Sequence, residues 1–581
     1  MKEFFKMAFA TVVGLFIFGL CSLFILFSVA GAIASVSDTE VKVRPNSVFH
    51  LKLSGVLVER SEENSMAILM GELDDKQKAI GLDEILASIR TAKLNDNIDG
   101  VYLECDASFA AAPASLMEIR NALLEVKEAG KFVVSYADFY SQSCYLVASV
   151  SDKVLLNPYG HVIIPGMTIR TVYFKDLLDK IGVDMQVVKV GTYKSAVEPF
   201  INTSMSEANR LQLTALSNSI WTNYKSSVAD SRGFSSEVIN QYADKGTFLE
   251  NASAAVAIHL VDSLVYRAEV KAILEDFVGK DDFKLLTLKQ MTKVRSTTKY
   301  SDNKVAVLYA SGAIDGNDQT DMDSEQIAKE LCRLADDDDV KCVVLRVNSP
   351  GGSAYGSEQM WHATTLVKSK KPLIVSMGDY AASGGYYMSC AADTIVAQPN
   401  TITGSIGIFG LIPNIQGLTD KIGLDFDGVK TNKLSDFGDV SRPLTATEKV
   451  LLQNYINEGY ELFVKRCADG RKLSVESIKA IGEGRVWSGL EAKRIGLVDE
   501  IGGLDKAIDI AVEKAGLTNY MVKEYPAKKN LFTKLMEDIS SVKTDIVRET
   551  LGKDYTYFKY INQLKQMSGA QARLPFLLEI N

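Results

Sequence analysis

Residues 371–388 read Lys-Pro-Leu-Ile-Val-Ser-Met-Gly-Asp-Tyr-Ala-Ala-Ser-Gly-Gly-Tyr-Tyr-Met. An apolar run, 371–377, leads to Asp379 and then to small residues around a lone serine, Ser383. The pattern predicts a strand that turns into a helix at the serine. Asn348-Ser349-Pro350-Gly351-Gly352-Ser353 lies upstream and Thr403-Gly404-Ser405-Ile406-Gly407 downstream. Glycine-rich turns around an isolated serine point to a nucleophile beside backbone N–H groups that can hold an oxyanion, because glycine lets a substrate come close. None of the four histidines (His50, His161, His259, His362) is near enough in sequence to suggest a base. The plainer reading is a serine in tight helix packing, with Asp379 capping the helix that follows.

Working outward, the same features occur twice. Residues 49–53 and 305–309 each precede Ser-Gly; 101–104 and 342–346 are apolar runs after acidic turns; 131–136 and 371–377 each lead to an aspartate, Asp138 and Asp379. Residues 153–156 and 394–397 each run to a proline, and Leu260-Val261-Asp262 matches Leu497-Val498-Asp499. Strand and helix alternate at a spacing that implies parallel pairing through right-handed crossovers. The order indicates an internal duplication, with repeats expected at 45–296 and 297–525 and a polar linker at 297–304.

Laying the repeats together places Gln142 opposite Ser383, and Ser143 and Cys144 opposite Gly384 and Gly385. The first repeat instead holds Val190-Gly191-Thr192-Tyr193-Lys194-Ser195-Ala196-Val197-Glu198-Pro199, with Ser435 of the second opposite Lys194. One repeat has the serine, the other the lysine. The inference is a single site split between two copies and formed where they meet. A lysine amine can activate a serine only when neutral. Lowering its pKa from about 10.4 towards 7–8 costs about 4 kcal/mol, which burial in an apolar site can impose. Ser405 is the candidate hydroxyl to orient the amine, Gly352 and Gly384 the candidate oxyanion donors, and Lys433 a rival base. The Gly351-Gly352 turn is no phosphate loop, since no Gly-Lys-Ser/Thr follows, and Ser383 lacks a Gly-x-Ser-x-Gly elbow.

Composition narrows the class. The 581 residues exceed one ordinary domain, and a net charge of -9 offers no general basic field for nucleic acid. Seven scattered cysteines form no C-x-x-C pair, so mostly buried free thiols are expected and neither a metal nor a cofactor. Residues 7–34 are apolar and uncharged, preceded by Lys2 and Lys6 and followed by Asp38 and Glu40. The expectation is a transmembrane helix with a cytoplasmic tip, within 1–44, and the bulk of the chain outside the cytoplasm. A cleaved signal peptide ending at Ala32-Ile33-Ala34 is the alternative. In the tail, 526–581, Leu531, Leu535, Ile539, Val542 and Ile546 recur at helical spacing, and the last residues read as extended.

The stretches 191–200, 348–353, 381–386 and 403–410, with the anchor, the duplication and the length, resemble the long, duplicated form of the signal peptide peptidase A family. The resemblance implies tandem crotonase-like α/β domains, akin to the Clp protease subunit, built of parallel ββα units behind an amino-terminal transmembrane helix. It implies a Ser/Lys-dyad endopeptidase that degrades remnant signal peptides at the bacterial inner membrane, on the periplasmic side, as a bowl-shaped homotetramer. By motif, Ser383 matches the nucleophile, Lys194 the general base and Ser405 the serine contacting the lysine. The tail after Pro526 is longer than the resemblance implies; its apolar end, 574–580, is expected to enter the substrate groove or guide assembly. Rival readings are a crotonase-type acyl-CoA enzyme, disfavoured by placement outside the cytoplasm, and a silent membrane scaffold.

Overall fold

The computed structural model describes residues 6–7, 9–11, 13–21, 40–61, 79–294, 301–316, 321–528 and 570–574. Two mostly parallel sheets form its frame. The first runs Ser263–Leu264, Lys153–Ile163, Phe132–Ser141, Ile98–Cys105, Ser47–Leu53, Lys284–Thr287 in spatial order. All its pairings are parallel. The main path of the second runs Val486–Ser488, Ile402–Gly404, Leu373–Ala382, Val340–Ser349, Lys304–Ser311, Met521–Tyr525, with Thr394–Ala397 also beside Leu373–Ala382. Only its pairing of Ile402–Gly404 with Val486–Ser488 is antiparallel. Strands such as Val340–Ser349 are buried almost throughout because helices cover the sheet on both faces.

The duplication holds into the details. Each repeat has a 26-residue helix, Glu207–Arg232 or Ala446–Arg471. Each helix ends in an arginine paired with an aspartate, Arg232 with Asp262 and Arg471 with Asp499. Each aspartate accepts the N–H of an equivalent strand residue, Val154 at 2.6 Å or Ile395 at 2.8 Å. The three-residue matches Leu260-Val261-Asp262 and Leu497-Val498-Asp499 are thus the feet of equivalent helix–sheet contacts.

A third, antiparallel sheet joins the repeats. Its order is Gly351–Ser353, Ala570–Arg573, Phe409–Asn414, Asp184–Lys189. The first repeat supplies Asp184–Lys189 and the chain's tail supplies Ala570–Arg573. Arg346 ties the repeats together from the core. It is fully buried and pairs with Glu59 at 2.5 Å and Glu118 at 2.8 Å, both from the first repeat. Burial pushes the Glu118 carboxyl up to about 7 against the pull of Arg346.

Asp379 departs from expectation. The carboxylate does not cap the helix after it, Gly384–Ser389, whose cap residue Ser383 makes no side-chain cap bond. It accepts the Ser115 N–H at 2.8 Å and the Ser115 hydroxyl at 2.7 Å, in the first turn of the first-repeat helix Pro113–Glu128. The duplication puts an unsatisfied helix end within reach across the repeat junction, and that end takes the aspartate. Five cysteines are buried, Cys332 is half-buried and Cys21 exposed, all as free thiols.

Among the described residues no helix is long and apolar enough to cross a membrane. Much of the expected span 7–34 lies outside the described residues; 13–21 are helical. The expected tail helix at 531–546, and part of the expected linker, also lie outside them.

Candidate active site

Ser383 sits where the strand Leu373–Ala382 gives way to the helix Gly384–Ser389. Its backbone is at φ 55°, ψ −112°, a sparsely populated conformation for a residue with a side chain. Two hydrogen bonds hold it there. Ser383 N–H donates to Gly404 O at 2.8 Å, and Tyr387 N–H donates to Ser383 O at 2.8 Å. Ser383 is fully buried.

Lys194 arrives from the first repeat, on the turn after the strand Asp184–Lys189. Its Nζ lies 2.8 Å from Ser383 Oγ, 3.1 Å from Ser405 Oγ and 3.2 Å from Ser405 O. A neutral amine has two N–H groups and one lone pair. The two Ser405 oxygens can take the N–H groups, which leaves the lone pair for the Ser383 hydroxyl proton. Lys194 is fully buried, and that burial alone pushes its pKa well below the usual lysine value. The site therefore favours the protonation state a base requires.

The surroundings fix the lysine stem. Tyr193 N–H donates to Glu483 O at 2.9 Å, across the repeat junction. Gly484 passes so close that a Cβ there would lie 2.7 Å from Lys194 N, Cα and Cβ. Gln212 donates to Tyr193 O at 3.0 Å, and its Oε1 accepts the Val486 N–H at 3.3 Å. Ser195 donates to Asn209 at 2.9 Å. Sequence reading did not single out Gln212, Asn209 or the 482–484 turn. Their only signal was two glycines around a glutamate and polar residues on a long helix, which read as an ordinary turn and a solvated face.

The oxyanion candidates lie beside this pair. Gly352 is fixed on one side by Ile314, whose N–H donates to Gly351 O at 3.0 Å and whose O accepts the Ser353 N–H at 3.1 Å. The N–H and C=O of Gly352 itself therefore face the opposite edge. A Cβ on Gly351 would lie 2.8 Å from Gly384 N, so the Pro-Gly-Gly turn passes close beside the Gly384 N–H. Lys433 and Ser435 are exposed, and Ser435 Oγ bonds locally to Asn432. The rival base is thus outside the site. In the first repeat, Gln142 at the serine's equivalent place accepts the Gly166 N–H at 3.1 Å.

The model of peptidase family S49 matches residues 125–280 and 365–518, and that of Clp protease matches 296–403. The chain is 37% identical over 481 residues to Protease 4 of Haemophilus influenzae, covering 79% of this chain and 78% of that one. It is 34% identical over 508 residues to Protease 4 of Salmonella typhi, covering 84% and 82%. The chloroplastic serine protease SPPA of Arabidopsis thaliana is 28% identical over 529 residues, covering 88% and 77%. These likenesses favour neither the acyl-CoA reading nor the silent scaffold. With its duplicated S49 domains and Clp-protease-like α/β fold, the chain belongs to peptidase family S49 and is a serine protease.

Proposed function

We propose that Ser383 and Lys194 form a Ser/Lys dyad that cleaves apolar peptides, remnant signal peptides among them, through an acyl-enzyme. The observation that carries this reading is the 2.8 Å contact between Lys194 Nζ and Ser383 Oγ, with the lysine buried. Neutral Lys194 takes the Ser383 proton as Oγ attacks the scissile carbonyl. The Gly352 and Gly384 N–H groups receive the oxyanion. The lysine ammonium then protonates the leaving amine, and water releases the acyl group by the reverse sequence. Ser405 holds the amine on line. No cofactor or metal enters the scheme. Loss of peptide cleavage and of fluorophosphonate labelling in Ser383→Ala is the test; wild-type cleavage in that variant would refute the reading.

The same proposal places the chain in a membrane. Leu15, Phe16, Ile17, Phe18 and Leu20, in the described helical stretch 13–21, are exposed on all sides, as suits a helix immersed in lipid. Lys2 and Lys6 keep the short amino end in the cytoplasm and the protease on the periplasmic side of a bacterial inner membrane.

Assembly as a homotetramer is part of this reading. Within the chain, the first-repeat strand Asp184–Lys189 pairs with Phe409–Asn414 of the second. By the duplication, residues 425–430 correspond to the former and 168–173 to the latter. Residues 425–430 are exposed, with Phe426 and Val429 bare, and Ile422, Leu424 and Phe437 are exposed beside them. A neighbouring copy offering 168–173 would repeat the internal contact head to tail, the kind of contact that forms a ring when its rotation closes.

A further inference from the structure

The strand Leu373–Ala382 breaks its ladder just before the serine. It pairs with Val340–Ser349 as Val347 opposite Met377 and then Ser349 opposite Ala381. One residue, Asn348, thus stands against three, Gly378, Asp379 and Tyr380. The bulge is also where the strand changes its other neighbour. Before it, Ile374–Met377 pairs with Thr394–Ala397; after it, Tyr380–Ala382 pairs with Ile402–Gly404. Ser383 follows at once, its N–H on Gly404 O at 2.8 Å, one residue before Ser405. The bulge therefore sets which strand the nucleophile rests on. Bulges beside active sites commonly re-aim a side chain in this way.

A bulge takes backbone groups out of the ladder, and they need other partners. The Thr401 hydroxyl donates to Gly378 O at 2.7 Å, and Tyr380 N–H donates to Asn348 Oδ1 at 3.1 Å. The Asn348 carboxamide thus stands in for the missing rung. Its Nδ2 donates to Glu59 Oε2 at 3.0 Å and reaches Asp379 Oδ2 at 3.5 Å. An N–H on one side and carboxylates on the other fix which way the amide points. A Cβ on Gly378 would lie 2.9 Å from Asn348 Cγ and 3.1 Å from Glu59 Oε2, so the amide occupies the room a side chain would need. The Asn348 carbonyl accepts the Gly312 N–H at 3.0 Å, and Ser349 Oγ accepts the Gly351 N–H at 3.2 Å. Asn348 therefore opens the turn that carries one oxyanion donor, while its side chain grips the strand that carries the nucleophile.

The grip is anchored in the first repeat. Glu59 also pairs with Arg346, and Asp379 also holds Ser115. Glu59, Glu118 and Asp379 are three carboxylates around one guanidinium. Burial already pushes the Glu118 carboxyl up to about 7 and raises that of Asp379. An uncharged donor at 348 suits such a cluster, and a further carboxylate would not. We propose that Asn348 is a positioning residue for the peptidase reaction, holding the bulge so that Ser383 meets both Lys194 and the Pro-Gly-Gly turn, with Glu59 of the first repeat holding the amide in place. The inference rests on the dyad reading above, and no chemical step passes through the carboxamide.

Steady-state cleavage of an apolar peptide by the full chain in detergent tests this, with kcat counted per folded chain from melting of the same samples. Asn348→Asp is expected to lose roughly 10–100-fold in kcat while KM stays within about twofold, the pattern of a misplaced nucleophile rather than a lost binding contact. In the double variant Glu59→Gln with Asn348→Asp, amide and carboxylate trade places and the number of carboxylates returns to that of the wild type. Its kcat should recover at least about fivefold over Asn348→Asp, a coupling that two independent structural defects would not show. Asn348→Ala adds no charge and reads the same kcat loss where Asn348→Asp does not fold. Wild-type kcat in Asn348→Ala, or a double variant no more active than Asn348→Asp, overturns the positioning role and leaves the dyad standing. A raised KM with unchanged kcat assigns Asn348 to substrate binding and overturns it too. Wild-type cleavage by Ser383→Ala overturns the dyad, and the positioning role with it.

Discussion

Lys194 and Ser383 lie 189 residues apart in the chain and 2.8 Å apart in space, one from each repeat. Neither repeat holds a complete site, because Gln142 stands at the serine's place in the first and exposed Ser435 at the lysine's in the second. The fold of the two repeats brings a buried amine to a strained serine across a junction that both repeats shape.

Replacing Lys194 by alanine or arginine removes the base in different ways. Alanine deletes the amine, and arginine cannot lose its proton at workable pH. Both are expected to lower kcat by roughly 10²–10⁴-fold, the usual contribution of a positioned general base. Steady-state peptide cleavage measures it, and near wild-type kcat in Lys194→Ala would remove lysine from the mechanism.

The pH dependence follows from the same burial. Lys194 has a pKa well below its usual value because it is desolvated, and only its neutral form is a base. Activity should rise with pH through that depressed pKa and be lost below it. Stability has a related sign. The unfolded chain binds the lysine proton up to about 10.4 while the folded chain has released it, so this lysine costs stability below that pH and the cost shrinks as pH rises. Lys194→Met, inactive, should therefore melt above wild type at neutral pH, and less so near pH 10. A lower Tm for Lys194→Met would contradict this.

Gly484→Ala tests the close approach that fixes the lysine. Gly484 is at φ +79°, and the added methyl would strike the Lys194 backbone and Cβ. We expect a stability loss of about 1–3 kcal/mol and a fall in kcat from displaced Nζ. Denaturant unfolding and kinetics on the same sample read both, and an unchanged kcat would show that the turn does not position the base.

Arg346→Leu leaves Glu59 and Glu118 buried without their cation. Breaking a buried ion pair from one side typically costs about 3–5 kcal/mol. Chemical denaturation should show a loss of that order, and reduced loss when Glu118→Gln is added. Additive losses in the double variant would argue that the two groups do not act together.

Removing residues 570–581 vacates the strand position beside Gly352. Short apolar peptides should then bind more tightly, seen as a lower KM with kcat little changed. An unchanged KM would mean that the tail does not compete with substrate.

Much of this was legible in the sequence. Apolar runs of strand length at matched spacing pointed to two parallel sheets, because strands covered on both faces read as nearly continuous apolar runs. The order of motifs pointed to the duplication, the complementary loss of serine and lysine to Ser383 and Lys194, and the turn 403–407 to Ser405, the three side chains the fold brings together. Asp379 was read one helix wrong. An aspartate at a strand end signals that something needs a cap, but the Ser115 N–H that takes it is 264 residues away in the chain.

What the sequence determined by itself is local: periodicity, turn chemistry and the residue types a serine mechanism needs. What only the tertiary structure decided is mutual position. The short sheet joining Asp184–Lys189, Phe409–Asn414, Gly351–Ser353 and Ala570–Arg573 exists through backbone hydrogen bonds between distant segments, and such bonds carry almost no side-chain signature. Burial of Lys194 is likewise a property of the junction, since a lysine is ordinarily solvated and becomes a base only when other segments exclude water from it.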